Sequence, residues 1–314
     1  MKNRPFKSLT TEEFVESATM FYIDQKLEDE YTKIVDAKVF TLQETLLGIA
    51  APGGLEKYIR DDPEALDNLT SLLNISDEKF KRVITSLRIE KGHKITGEWT
   101  LKRIREVMLE RPPFMKEVCD LLSEGYHLEK YAQIIPPFYR DNFRIDASTL
   151  GRLANVDDVK RLVKRSLEGR YTNQLGDSYF NTVADTITSY CEHEGITYEL
   201  KVNVPFCEKV MSVVIPNSTK PRVIFDITYG ITTSSTQTRY ADRAEKVAAK
   251  LRSYNEGKND SEKIIFVNII DGAGWVARQS DLSRLERCSH YLLNLKNLET
   301  VKKIIKHYIL EIEK

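Results

Sequence analysis

The chain lacks the segments that mark a secreted or membrane-bound protein. No stretch reaches the roughly 18 consecutive apolar residues that a membrane-spanning helix needs. The N-terminal segment MKNRPFKSLTTEEF lacks the apolar core of a secretory signal. We therefore expect a cytoplasmic protein that does not associate with membranes.

Cysteine is scarce, and its few positions are widely scattered. The four cysteines, Cys119, Cys191, Cys207 and Cys288, form no CxxC pair and have no histidine at zinc-finger spacing. We expect them to be reduced and structural. The histidines also do not group in sequence, and no catalytic triad is evident.

An excess of charge of one sign is missing as well. Lys plus Arg and Asp plus Glu each number 47, so the formal net charge is zero. A field of the whole molecule therefore cannot attract nucleic acid. Any affinity for nucleic acid must come from local basic clusters.

What is present is a residue pattern that changes near the middle of the chain. Up to about residue 168, apolar residues recur at helical spacing, which predicts a bundle of helices. After a predicted helix end at Gly169, the segments follow the order α-β-β-β-α-β-α-β-α. We predict two domains, 1–168 and 169–314, in an α+β protein whose C-terminal part has a mixed sheet with helices on both faces.

The individual segments are predicted from the same patterns. The predicted helices of the first half are 12–21, 42–49, 63–73, 77–90, 100–109, 113–124 and 156–169. The predicted strands of the second half are 196–204, 210–215, 222–229, 263–270 and 291–295.

Two basic segments of the helical half have the composition of DNA-binding surfaces. The segment 63–88 has the proportions of a helix-turn-helix, with Lys79, Lys81, Arg82 and Arg88 on its second helix, although such pairs also occur as plain packing. Four cations fall on one side of the predicted helix 156–169, which suits phosphate oxygens, and a solvated helix surface is the alternative. The candidate DNA contacts of this second segment are Lys160, Arg161, Lys164, Arg165 and the following Arg170.

The most informative segment runs from Pro221 to Lys246 and reads PRVIFDITYGITTSSTQTRYADRAEK. Its strand 223–225 is apolar, and Asp226 then interrupts it. A carboxylate in such a strand is costly unless it is paired, holds a cation or faces water at the strand end. A Ser/Thr-rich turn and a basic helix follow.

This order of elements, with an acidic residue closing the third strand, resembles the PD-(D/E)XK nuclease core. The local sequence is similar to that of type II restriction endonucleases. The resemblance rests on Met211 to Asn217, on Ile224 to Tyr229 with the following turn, and on Phe266 to Trp275. It implies a sequence-specific, Mg²⁺-dependent endonuclease that cleaves double-stranded DNA as a homodimer.

The resemblance also assigns roles to single residues. Asp226 takes the second acidic position and would be a metal ligand. Thr228 stands where the family has a lysine. Gln237 could supply the missing polar group, or Lys201 or Lys209 could reach in from a neighbouring strand.

The first acidic position of the pattern is occupied by Ser212. A hydroxyl is a far poorer Mg²⁺ ligand than a carboxylate. Either Glu199 or Glu208 takes over this role, or the chain is an inactive or degenerate nuclease. The competing hypothesis is therefore a non-catalytic DNA-binding protein on a nuclease scaffold.

The turn and helix after Asp226 offer further contacts with DNA. Hydroxyls followed by arginines can bind phosphates, although a Ser/Thr turn that caps a helix is also ordinary structure. The predicted DNA contacts are Thr233, Ser234, Ser235, Arg239 and Arg243, and Arg278 is a further candidate.

Overall fold

The computed structural model describes residues 4–92, 97–233 and 235–312, except for the side chains of Glu44 and Leu47. The chain divides into two compact units, one of residues 26–171 and one of residues 1–25 with 172–314. The first 25 residues thus belong with the C-terminal half, which a division at residue 168 does not anticipate. The two predicted domains and their roles stay a prediction.

The described part of residues 26–171 is helical. The first helix of the chain, α1 (Thr11–Ser17), precedes these residues and belongs to the other unit. There follow α2 (Gln25–Leu47), α3 (Gly54–Asp61), α4 (Ala65–Leu72), α5 (Asp77–Glu90), α6 (Leu101–Glu110), α7 (Pro112–Glu124), α8 (Pro137–Arg140), α9 (Ala147–Gly151) and α10 (Val156–His193). No described helix is both long enough and apolar enough to cross a membrane.

The boundaries of α5 agree with the prediction, and a side chain caps its start. The Ser76 hydroxyl accepts a hydrogen bond from the Lys79 amide, and α5 spans the predicted 77–90. The predicted helix end at Gly169 is wrong, because α10 continues to His193. A glycine inside a helix costs only about 1 kcal/mol, which the neighbouring turns of a long helix can offset.

The second unit is built on one five-stranded sheet in the order β1-β2-β3-β4-β5. The strands are β1 (Glu199–Val204), β2 (Lys209–Ile215), β3 (Val223–Tyr229), β4 (Ile265–Asp271) and β5 (Tyr291–Leu293). The first three form an antiparallel meander, and β3, β4 and β5 are parallel. The remaining helices are α11 (Ser235–Asn255), α12 (Ala273–Val276), α13 (Gln279–Cys288) and α14 (Thr300–Ile305), which continues as a π-helical segment, Lys306–Glu311. The predicted α+β class, the order of elements and the mixed sheet are confirmed.

Each face of the sheet has its own apolar core. On one face Phe225 and Ile227 pack with residues of α10 and α14. On the other face Ile224 and Phe266 pack with residues of α1, α11 and α13. Because side chains alternate along a strand, Asp226 follows Ile224 onto the face that α11 covers.

A buried carboxylate joins three segments at the ends of the parallel strands. Oδ1 of Asp271 accepts hydrogen bonds from the amides of Thr19, at 2.6 Å, and Gly272, at 3.1 Å. Oδ2 accepts from the amide of Leu295 at 3.1 Å. Burial raises the pKa of Asp271, against the opposing effect of these donors. This carboxylate ties residues near α1 to the sheet.

His290 lies at the opposite end of the sheet, where β5 begins. Its amide donates to the Phe266 carbonyl at 2.9 Å, and its ring Nδ1 accepts from the Phe266 amide at 3.0 Å. An Nδ1 atom that accepts a hydrogen bond carries no proton, so the ring is neutral in the folded protein. Burial, helped by nearby Arg4, lowers the pKa of His290 to about 4.

This histidine predicts a loss of stability in acid. The unfolded chain, with an ordinary histidine pKa of about 6.5, binds more protons than the folded chain between the two values. The contribution to stability is complete above pH 6.5 and falls as the pH approaches 4. We expect the free energy of unfolding to fall by about 2 kcal/mol between pH 7 and pH 5 because of this histidine. Urea unfolding of the wild type and of His290→Asn measures the effect, because the substitution removes this part of the pH dependence.

The largely exposed His193 is the matched control for this measurement. His193→Gln should leave the unfolding free energy at pH 7 within about 0.5 kcal/mol of the wild-type value, because surface substitutions have small effects. An equal slope in the wild type and in His290→Asn would contradict the prediction.

Candidate active site

The site is organised around a buried ion pair between neighbouring strands. The Asp226 residue is only 5% exposed, and its Oδ2 accepts a hydrogen bond from Nζ of Lys209. Lys209 begins β2 and is itself mostly buried. An unpaired carboxylate at this depth would be strongly destabilising, so the lysine compensates its charge.

A break in the alternation of β2 aims Lys209 at Asp226. Met211 packs on the α11 face of the sheet and Val213 on the opposite face, although they are two residues apart. The alternation therefore shifts at Ser212, as it does at a β-bulge. On the neighbouring strand Lys201 has a positive φ of 47°. The shift brings the start of β2 onto the face that carries Asp226.

Ser212 has a structural role at this break. Its hydroxyl accepts a hydrogen bond from the Ile227 amide at 2.9 Å. The regular pairing of β2 with β3 reaches only to Val213 and Phe225, so the hydroxyl satisfies the next backbone donor. The serine at the predicted first acidic position thus lies beside the residue that follows Asp226.

Polar groups extend the site beneath α11. Asn268 of β4 lies opposite Asp226 in the parallel register, and its Oδ1 accepts from the Tyr240 hydroxyl at 3.0 Å. Nδ2 of Asn268 donates to the Ser289 hydroxyl at 2.6 Å. Nζ of Lys209 lies 4.9 Å from the centre of the Tyr240 ring. Burial, and then the charge of Asp226, raises the pKa of Tyr240 well above its ordinary value.

The other predicted catalytic residues have separate partners. Glu199 accepts from the Ser218 amide at 2.8 Å, in the turn at the far end of β2. Glu208 is exposed and pairs with Lys250 of α11 at 2.9 Å, which lowers the pKa of its carboxyl.

Two further predicted residues lie after Asp226 along the chain. The amide of Gln237 is buried and donates to the Thr232 carbonyl at 2.7 Å. Thr228 is half-buried at the second position after Asp226. Gln237, Lys201 and Lys209 are the predicted substitutes for a lysine at Thr228. Of these three, Lys209 contacts Asp226.

The side chains of the site fit a magnesium ion that takes few of its ligands from the protein. Among the residues that the structure describes, no three Asp, Glu, His or Cys side chains are grouped to hold a metal ion. Mg²⁺ is often held by one or two carboxylates, with water and substrate phosphate supplying the other ligands. Asp226 fits an ion that takes one carboxylate from the protein and its other ligands from water and substrate.

The predicted DNA contacts near α11 are mostly exposed. Thr233 and Arg243 are exposed, Arg239 donates to the Ser235 hydroxyl at 3.2 Å, and Ser234 lies outside the described residues. Arg278 lies 4.0 Å from the buried Asp281. Positions 239, 243, 246 and 250 of α11 carry Arg, Arg, Lys and Lys, and this spacing places them along one side of the helix. Lys246 and Lys250 follow the two arginines that the sequence predicts as DNA contacts.

The predicted basic face of α10 is partly neutralised within its own unit. Lys160 pairs with Asp36 at 3.0 Å, Arg161 pairs with Asp158 at 2.9 Å, and Arg165 donates to Asn74. The remaining two cations of this segment, Lys164 and Arg170, are exposed. DNA contact by this face stays a prediction.

A comparison with known protein families decides the assignment. The model of the family described as the BanI C-terminal domain, a restriction-enzyme domain, matches residues 150–312, more than half of the chain. The chain belongs to this type II restriction enzyme family. The matched residues include α10, the whole sheet, Asp226 and Lys209. No curated protein matches the chain.

Membership in a restriction-enzyme family indicates a DNA-binding nuclease. The family resemblance proposed from the sequence is confirmed at this level. The PD-(D/E)XK core and the individual site residues stay predictions.

The ion pair of this restriction-enzyme domain predicts a large effect on stability. Lys209→Met leaves the Asp226 carboxylate buried and unpaired, so we expect the unfolding free energy to fall by roughly 3–5 kcal/mol. Asp226→Leu combined with Lys209→Met should cost less than the two single changes together, because no buried charge remains. Urea unfolding of the four proteins measures this coupling.

The exposed pair between Lys250 and Glu208 provides the control. Lys250→Met should change the unfolding free energy little, since an exposed pair is screened by water. Additive effects of the two changes at the buried pair would refute the coupling.

Proposed function

We propose that the chain is a type II restriction endonuclease that cuts both strands of double-stranded DNA at a specific sequence. Its catalytic centre is formed by Asp226 and Lys209, and its cofactor is Mg²⁺. The observation that carries the proposal is the buried carboxylate–lysine pair on the central strands of a domain that belongs to a restriction-enzyme family.

The chemistry is hydrolysis of a phosphodiester. A water molecule loses a proton as its oxygen bonds to phosphorus, the bond from phosphorus to one sugar oxygen breaks, and the departing sugar oxygen takes up a proton. A bound Mg²⁺ would neutralise charge on the phosphate and lower the pKa of a water ligand. Asp226 would hold the ion, and Lys209 would place a positive charge beside a phosphate oxygen.

The remaining parts of the proposal concern DNA binding and assembly. Arg239 and Arg243 would contact DNA phosphates from the exposed side of α11, with the hydroxyls of the preceding turn. Two copies related by a twofold axis would present two catalytic centres, one for each strand of a symmetric target. We therefore propose a homodimer as the active form.

One observation favours a second candidate function. Among the described residues no three Asp, Glu, His or Cys side chains form a metal cluster at Asp226, Lys209 already neutralises this carboxylate, and the Ser212 hydroxyl accepts from the Ile227 amide. A protein that binds DNA on this scaffold without cutting it would need no metal site. This is the alternative that the experiment has to separate from the nuclease.

Digestion of plasmid DNA tests the proposal. The wild-type protein should produce discrete fragments with Mg²⁺ and none with EDTA. Asp226→Asn and Lys209→Gln should each lower the cutting rate by roughly 100-fold or more, because each removes a charge that acts on the reacting phosphate. Gel-shift measurements in EDTA should show that both variants still bind duplex DNA.

Asp260→Asn is the matched control, since Asp260 is exposed and pairs with Lys263 outside this site. It should cut at the wild-type rate. Cutting by Asp226→Asn at the wild-type rate would remove Asp226 from the mechanism. Tight binding without cutting in any divalent metal, with cutting gained by Ser212→Asp, would support the second candidate instead.

A further inference from the structure

A groove in the helical unit combines exposed aromatic rings with cations. It lies between α5 and the segment 134–143 and has a volume of about 540 Å³. We call it the α5–α8 groove. Its lining includes Lys79, Arg82, Val83 and Ser86 of α5 and Phe138 and Tyr139 of α8.

One face of α5 is fixed in the core, and the opposite face lines the groove. Phe80, Ile84 and Leu87 are buried. Arg88 is also buried, with its guanidinium 3.5 Å from the centre of the Trp99 ring, so it does not reach the groove. Positions 79, 82, 83 and 86 recur at i, i+3, i+4 and i+7 and therefore share the open face.

The helix pair α4 and α5 has the short connection of a helix-turn-helix. After α4 ends at Leu72, the chain turns through Asn74, which has a φ of 60°, and α5 begins behind the Ser76 cap. The Thr70 hydroxyl donates to Asp77 at 3.2 Å and joins the two helices. In DNA-binding examples the second helix lies in the groove with its N-terminal end nearest the DNA. Lys79 and Arg82 lie in the first two turns of α5.

The other side of the groove presents aromatic rings. Phe138 is 80% exposed, and its ring contacts that of Tyr139 edge-on at 5.4 Å. Nζ of Lys79 lies 4.8 Å from the centre of the Tyr139 ring. Bases stack on such rings whatever their sequence, and apolar side chains also insert between base steps.

The acidic residues beside the groove do not cancel its cations. Asp77 and Glu78 lie in the first turn of α5, where the helix dipole favours them. Glu78 lies 3.5 Å from Arg82 in a pair whose two side chains are both exposed. Such a pair is weak in water, so a phosphate can take the place of the carboxylate.

We propose that the α5–α8 groove is a DNA contact surface of the restriction enzyme. Lys79 and Arg82 bind the phosphate backbone, and Phe138 stacks on a base that has left the duplex. This assignment rests on the proposed function and extends it to the helical unit. It commits to double-stranded DNA as the occupant because the family binds DNA and the groove offers cations beside exposed rings.

Binding of two labelled duplexes by the full-length protein in EDTA tests the groove. One is a 30-base-pair duplex of mixed sequence, and the other has a single unpaired adenine at its centre. The wild-type protein should bind the second duplex more tightly, because its extra base is already unstacked. Phe138→Ala should weaken binding of that duplex by roughly fivefold or more and remove the preference.

Lys79→Ala should lower the affinity for both duplexes by the same factor. It should also lower the slope of log affinity against log salt concentration by about one. Phe40→Ala is the matched aromatic control, since Phe40 is 73% exposed on α2, and Lys57→Ala is the control for charge. Both controls should bind like the wild type.

The outcomes separate this inference from the proposed function. Equal binding of the two duplexes by the wild type, or wild-type binding by Phe138→Ala, would overturn the groove assignment. The nuclease proposal would stand if plasmid cutting still depended on Asp226. If Phe138→Ala loses the preference while Asp226→Asn cuts normally, the groove assignment stands and the proposed catalytic centre fails.

Discussion

The burial of one carboxylate between β3 and α11 sets the conditions for the rest of the site. Asp226 occupies a position that the alternation of β3 gives to an apolar side chain, and it is compensated by Lys209 from the adjacent strand. This compensation depends on the break at Ser212, because regular alternation would turn the start of β2 to the other face. The serine hydroxyl stabilises the break by accepting from the Ile227 amide. Thus the residue that departs from the expected acid is also the residue that brings the lysine to Asp226.

The same break explains how a lysine can be absent from β3 and present in the site. In the PD-(D/E)XK pattern that the sequence resembles, the lysine lies two residues after the acid on one strand, and here Thr228 holds that place. Lys209 reaches Asp226 from the start of β2, the strand that pairs with β3. Adjacent strands are only about 4.8 Å apart, which the four-carbon stem of a lysine spans. A side chain from β2 can therefore take up the position that a lysine at Thr228 would have filled.

Much of the fold could be predicted from the sequence because local signals agreed with tertiary packing. Ser76 marks the start of α5, and the apolar runs mark all five strands, so the order of elements and the mixed sheet are as predicted. The helix end predicted at Gly169 is wrong because a glycine ends a helix only where the chain also turns, and α10 continues through this residue. The partner of Asp226 could be narrowed only to a few lysines, since the shift in alternation at Ser212 has no sequence signal of its own. The position of Asn268 beside Asp226 does have a sequence signal. Parallel strands in register place the fourth residue of β4 opposite the fourth residue of β3.

The absence of a cluster of three metal-ligating side chains among the described residues bears on how the two candidate functions relate. A nuclease that holds its metal through one protein carboxylate must take the other ligands from water and from the substrate itself. In such an enzyme the metal site is complete only when DNA is bound, and Lys209 compensates the charge of Asp226 until then. Binding energy from distant contacts, such as those of α11, would then be used to assemble the catalytic centre on the substrate. A chain that has lost catalysis would keep the same contacts and the same ion pair, because the pair also stabilises the fold. The buried pair fits both proposals, which differ in whether bound DNA would bring a metal ion to Asp226.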